Sequence, residues 1–186
     1  MYKLCKTEQS ARRQWEMEQG LLKMMQQQRY EEISVSDLCD QLGVPRKSFY
    51  RYFSSKDGAL YALLDHTMMD FFNSGVSTVG LVPGTQIGDL DRYFLFWRNH
   101  GDLLDALQKN GLSGILVERA MGLALRERLM PGYVLSWDVE VQQLAMAFAV
   151  SGLLSMVIQW HQQGFKTPPS EMTNIAVTIL TKPLIQ

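Results

Sequence analysis

Four cations crowd into one short stretch. Arg46, Lys47, Arg51 and Lys56 lie within positions 41–56, which hold no acid and so carry a local charge of +4. Guanidinium and ammonium groups at this density suit phosphate oxygens and guanine edges. Ser48 and Tyr50 stand inside the cluster, and Ser34 and Ser36 stand a short way upstream. Hydroxyls bond phosphates or base edges without adding charge. The whole chain has a net charge of −1, so the cluster is a docking face rather than part of a basic coat. The alternative is a merely solvated charge run. The spacing weighs against it, because the cations fall at the starts of two helices.

Other chemistry is sparse. No Ser/His/Asp or paired-carboxylate pattern and no glycine-rich phosphate loop rises from the sequence. No Cys/His cluster has metal-ligand spacing, so neither a catalytic centre, a metal nor a cofactor is expected. Cys5 and Cys39 lie in unlike contexts and imply no disulfide framework. Cys39 falls between Leu38 and Leu42 on an inner helix face and reads as core. In the C-terminal half, Trp97, His100, Met121, Phe148 and Trp160 are candidates to line a small-molecule site, with Phe94, Phe96 and Met156 beside them. Plain core packing is the competing reading for each. His100, next to Gly101, also suits a helix C-terminus. A mainly apolar effector is expected, with Arg98, Arg119 or His100 as its polar contact.

The elements that must position these residues are helices, since no segment alternates convincingly enough for a strand. Met17, Gly20, Leu21, Met24 and Met25 give a first helix, about Glu8 to Gln28, one apolar face. Ser34 with Asp37 three residues on is a capping pair, and it opens a helix from Val35 to Leu42. Gly43 is suited to close that helix in the left-handed conformation. Pro45 suits the first turn of the next, which runs to Tyr52. Ser54 and Asp57 form a second cap pair for a helix running into the 70s. Residues 74–88 hold four glycines and a proline and read as a loop or seam. Further helices are expected over about 89–99, 102–110, 112–129 and 136–163, with a last one from Ser170 to before Pro183. Met130-Pro131-Gly132 is a break, and Ser136 a cap.

Two short helices about a tight glycine turn form a helix-turn-helix, whose second helix enters the major groove of duplex DNA. The stretch ISVSDLCDQLGVPRKSFYRYFSSKDGALYALL resembles the DNA-binding region of TetR-type regulators. The matching features are Ser34 opening the second helix, the Gly43-Val44 turn, Ser48 with Tyr50, and Phe53 with Lys56. The chain departs from the family pattern at Met25, Arg29 and Lys47, and at Gly58 and Ala59. The resemblance covers about residues 10–65. It implies an all-α homodimer whose C-terminal domain binds a small molecule and alters DNA affinity.

The expected organisation is a three-helix DNA-binding domain over 1–55 and a larger helical effector and dimerisation domain over 56–186. Double-stranded DNA, an apolar effector and a second copy docked through residues 137–182 are the expected partners. A repressor binding a pseudo-palindromic operator is the first reading. A co-regulator of the same fold acting through a protein partner, and a small helical enzyme, are the alternatives. The composition, 46% hydrophobic and 20% charged, is ordinary for a globular protein. The start, MYKLCKTEQSARRQW, lacks the apolar core of a signal peptide. The run Leu144–Ile158 is 15 residues long, against about 20 for a membrane span. A cytoplasmic protein with no membrane partner is therefore expected.

Overall fold

The computed structural model describes residues 2, 3, 5, 7–73, 87–126 and 137–182. Among them the chain forms nine α-helices: α1 (Glu8–Gln27), α2 (Val35–Leu42), α3 (Arg46–Tyr52), α4 (Lys56–Asn73), α5 (Ile87–Asn99), α6 (Gly101–Lys109), α7 (Ser113–Arg126), α8 (Val139–Gln162) and α9 (Pro169–Thr181). A single 3₁₀ turn, Tyr30–Glu32, follows α1. The fold is all-α: the described residues hold no strand, only an isolated bridge between Tyr2 and Phe53. Most of the 74–88 seam, the Met130-Pro131-Gly132 break, the Ser136 cap and the stop before Pro183 lie outside the described residues.

The helices group into two compact units. The first is Met1–Thr67 with Asp105–Leu112, and the second is Met68–Leu104 with Ser113–Gln186. The units part within α4, whereas the expectation from sequence places a boundary before it.

In the first unit, the apolar stripe of α1 is buried as its spacing predicts: Met17, Leu21, Met24 and Met25 are all core. Leu38 and Cys39 of α2, Phe49 and Tyr52 of α3, and Leu60, Leu63 and Leu64 of α4 complete that core. Gly20 lets α1 and α2 approach closely, since a Cβ there would lie 2.9 Å from Leu42 Cδ2. Residues 105–112 return to this unit. The Asn110 side chain accepts a hydrogen bond from the Tyr30 N–H and donates to the Met25 carbonyl, 3.1 Å. It thereby satisfies backbone groups left unpaired where α1 ends. Where α1 meets α4, the buried Glu18 carboxylate lies 3.0 Å from His66 Nδ1, and Asp65 accepts from the Tyr2 hydroxyl at 2.8 Å.

In the second unit, α8 packs chiefly on α7, and α9 chiefly on α5. Phe94 and Trp160 meet edge to face, 5.7 Å between centroids. Gly164, at φ 73°, takes the left-handed conformation that ends α8. The Phe165 N–H then bonds back to the Trp160 carbonyl. At 24 residues, α8 is longer than its apolar run. Among the described residues it is the helix long and apolar enough to cross a membrane by length and composition. Length therefore does not exclude a bilayer, contrary to the expectation drawn from the shorter run. One face of α8 is nevertheless committed to protein, with Met146, Val150, Leu153, Val157 and Trp160 buried.

Candidate nucleic-acid interface and effector cavity

The interface is built on three short pieces of backbone. Ser34 caps α2 reciprocally: its hydroxyl accepts from the Asp37 N–H at 3.1 Å, and Asp37 Oδ2 accepts from the Ser34 N–H at 3.0 Å. These bonds satisfy two otherwise orphaned donors. They hold the exposed Asp37 carboxyl below its ordinary value, the Ser34 hydroxyl being the main cause. At the other end, Gly43 has φ 64° and the Val44 N–H bonds back to the Cys39 carbonyl at 3.0 Å. A left-handed residue costs glycine nothing sterically, and here it turns the chain sharply into α3. Pro45 stands just outside α3 as its N-cap.

On α3 the two sides divide cleanly. Phe49 and Tyr52 are buried, and Arg46, Lys47, Tyr50 and Arg51 are exposed. Tyr50 is 53% exposed and braced edge-on against Phe49, 5.5 Å away. Four side chains that bond phosphates and bases thus share the outer face of one anchored helix. Ser48 and Ser36 are half-buried, and Ser34 is exposed. The Ser34 hydroxyl is already engaged in its cap, also donating to Asp37 Oδ2 at 2.6 Å.

Lys56 departs from expectation. Its ammonium turns into the protein, donating to the carbonyls of Tyr30 and of Ile33, the latter at 2.7 Å. It also lies 4.2 Å from the centroid of the Tyr30 ring. The Tyr30 carbonyl also accepts from the Ile33 N–H at 3.2 Å within the turn, so Lys56 adds a second donor there and bonds the Ile33 carbonyl beyond it. Partial burial lowers its pKa from the ordinary value. Two further side chains are engaged at the start of α4. The Ser55 hydroxyl accepts from the Gly58 N–H at 3.1 Å, while Asp57 accepts from the Tyr30 hydroxyl at 2.6 Å. Sequence reasoning also passed over Arg13. With Arg51 it lines a groove of ≈ 320 Å³ beside Leu42, Val44, Pro45 and Ser48. The only signal was the Arg12-Arg13 pair on the polar side of α1.

The model of the tetR family of bacterial regulatory proteins matches residues 20–63, the segment just described. This segment is a TetR-family DNA-binding domain. Solved structures extend the likeness in fold from that domain to most of the chain. "Dihydroxyacetone kinase operon activator DhaS" is 14% identical with a TM-score of 0.58, over 90% of this chain and 93% of that one. The "fatty acid degradation regulator FadR from Bacillus halodurans" is 17% identical with a TM-score of 0.57, over 97% and 98%. The "TetR Family Repressor AlkX" from Dietzia sp. is 18% identical with a TM-score of 0.53, over 90% and 92%. No curated protein sequence matches significantly.

The second unit holds a small apolar cavity of ≈ 50 Å³. Met68, Phe71 and Phe72 wall it from α4, and Tyr93 and Trp97 from α5. Ala120 and Ala124 of α7 face residues 146–154 of α8 across it. Of the five candidates named from sequence, Trp97 alone lines this space. Trp160 is core instead, its indole N–H donating to the Thr167 carbonyl at 2.9 Å. His100 Nδ1 lies 2.8 Å from the Phe96 carbonyl at the end of α5. Met121 is half-buried on α7 away from the cavity wall, and Phe148 is 65% exposed. Arg98 and Arg119 do not line the cavity either. Tyr93 was missed because its spacing marks it as inward-facing and nothing local marks the space beside it.

Proposed function

We propose that this chain is a dimeric, ligand-responsive transcription regulator that binds duplex DNA through the outer face of α3. The observation that carries the reading is the division of that helix. Phe49 and Tyr52 anchor it, while Arg46, Lys47, Tyr50 and Arg51 stand free of the core. A helix so presented after a tight turn reads the major groove. Arg13, beside Arg51, adds a phosphate contact from α1, and Ser36 and Ser48 add neutral ones. Ser34 acts by holding α2 in place.

The remainder of the chain, 56–186 in this reading, binds the effector and makes the dimer. The cavity against Trp97 takes an apolar molecule of modest size. Ligand binding acts through different affinities for two conformations of the dimer, and release from a pseudo-palindromic operator is the outcome proposed. The dimer forms through residues 137–182, where large apolar side chains remain outside the core. Leu144 and Phe148 are 64% and 65% exposed on one side of α8, and Ile175 is exposed on α9. Function here is regulatory rather than catalytic, and it is exercised in the cytoplasm, where the DNA is.

A mobility-shift assay with DNA from immediately upstream of the chain's own gene tests this reading. A retarded band that weakens steeply between 50 and 200 mM salt, on the order of a thousandfold for six or so phosphate contacts, is expected. No retarded band at low salt overturns it.

A further inference from the structure

The walls of the cavity hold an imbalance of hydrogen-bonding groups. The Tyr93 hydroxyl and the Trp97 indole N–H are both fully buried and lie near one another, yet neither makes a well-formed hydrogen bond among the described residues. Their residues are 6% and 3% exposed, and both line the cavity. Buried polar groups are nearly always paired, so two orphans in one wall ask for an explanation.

Counting donors and acceptors sharpens the point. Trp97 Nε1 can only donate, and the Tyr93 hydroxyl carries one proton and lone pairs. A small rotation that lets the indole donate to Tyr93 Oη would satisfy the indole. The phenolic proton would still lack an acceptor. The other walls supply none of consequence, being aliphatic, aromatic or thioether side chains such as Met68, Phe71, Met146 and Leu153. A thioether is a weak acceptor. Burial holds the Tyr93 pKa above its ordinary value, so the group stays a neutral donor across the physiological range. At least one donor in this wall therefore needs an acceptor from outside the protein.

Among the described residues no cation lines the space. A carboxylate or phosphate there would lose its hydration with no opposite charge to replace it. A pure hydrocarbon would leave the donors orphaned. The acceptor that fits is a neutral oxygen on an apolar body. Met68 and Met146 have unbranched, adaptable side chains that can open the narrow void.

We propose that the effector is an uncharged, carbonyl-bearing apolar molecule whose oxygen accepts from Tyr93 and Trp97. The inference rests on the reading of this cavity as the effector site.

Calorimetric titration of the full-length protein with three matched probes tests it. Acetophenone carries the carbonyl, ethylbenzene replaces it with a methylene, and benzoate replaces the ketone with a charge. Acetophenone is expected to bind at least about tenfold more tightly than either of the others, as one buried hydrogen bond warrants. Tyr93→Phe removes only the oxygen and is expected to reduce that preference to about threefold or less. It should also raise the Tm of the ligand-free protein by about 2–4 °C, because an unsatisfied buried hydroxyl is gone. Equal affinity for acetophenone and ethylbenzene, a preference for benzoate, binding of none of the three, or a preference that survives Tyr93→Phe overturns the proposal. So does a fall in Tm for that variant, which would mean the hydroxyl is already satisfied. None of these readouts involves DNA, so loss of the mobility shift would defeat the regulator reading while leaving this result standing.

Discussion

Arg46, Lys47 and Lys56 are alike in charge, and their surroundings give them opposite work. Arg46 and Lys47 project from α3, so replacing either with Ala removes a proposed contact to DNA and nothing from the core. Operator affinity is expected to fall, the salt dependence to flatten by about one phosphate per residue, and the Tm to hold. Lys56→Met keeps the aliphatic stem but removes the donors to the Tyr30 and Ile33 carbonyls. Its expected cost is about 1–2 kcal/mol of stability, chiefly from the Ile33 carbonyl losing its donor, since the Tyr30 carbonyl keeps the Ile33 N–H. Thermal melts and salt-titrated mobility shifts on the same three variants separate the two behaviours. Asp37 adds a pH dependence. Its pKa is depressed in the folded state by the Ser34 hydroxyl. The capping stability is thus fully present above the ordinary carboxylate value and is lost as pH falls through the depressed one. Asp37→Asn is expected to lower the Tm at pH 7 and to make progressively less difference as the pH is taken below the ordinary carboxylate range. An undiminished difference in strong acid would refute that account of the cap.

At the scale of the element, the reading helix is only as well placed as the α1–α2 packing beneath it. Gly20 faces Leu42, and an added Cβ meets the Leu42 Cδ2, Cδ1 and Cγ atoms at 2.9, 3.0 and 3.2 Å. Ala at this position asks the end of Leu42 to shift by a few tenths of an ångström, and the higher helix propensity of Ala offsets much of the strain. Val does not fit without moving α2, and overpacking of this kind costs about 1–3 kcal/mol. Gly20→Val is therefore expected to lower both stability and operator affinity, whereas Gly20→Ala leaves affinity within about twofold. Chemical denaturation paired with the mobility shift measures both. A Val variant that binds DNA like the wild type would show that the close approach of α1 and α2 does not set the position of α3.

For the whole molecule, the question is what covers α8. Val141, Leu144 and Phe148 follow one another at helical spacing and are exposed by 46%, 64% and 65%. Leaving such a face to water is costly, and monomeric proteins rarely show large contiguous apolar patches. In the proposed dimer a second copy of the chain would cover this face about a two-fold axis. Light scattering at micromolar concentration is expected to give about twice the monomer mass of 21.3 kDa. A Cβ added at Gly152 meets nothing within 4 Å in the single chain, so Gly152→Arg starts from open space on this face. It should dissociate the pair and abolish operator binding together, with far-UV circular dichroism unchanged. A wild-type monomer that still binds its operator tightly would remove the basis for the assembly.

Local features of this protein were legible in its residues. Ser34 and Asp37 define their cap, Gly43 its left-handed turn, and the apolar spacing of α1 its buried face, because each depends on neighbours within a few positions. The helix-turn-helix and its exposed basic face follow from those alone. What needed the tertiary structure was every feature whose partner lies far along the chain. The direction of the Lys56 ammonium depends on carbonyls 23 and 26 residues away, and the tie at the end of α1 depends on Asn110, 80 residues from Tyr30. Helical spacing by itself does not distinguish Tyr93, Trp97 and Trp160. It cannot say that Thr167 satisfies the Trp160 indole while Tyr93 and Trp97 border a void with their donors unmet. A repeat of about 3.6 residues records which side of a helix is apolar, and only the packing of four helices decides whether that side meets an atom or a space.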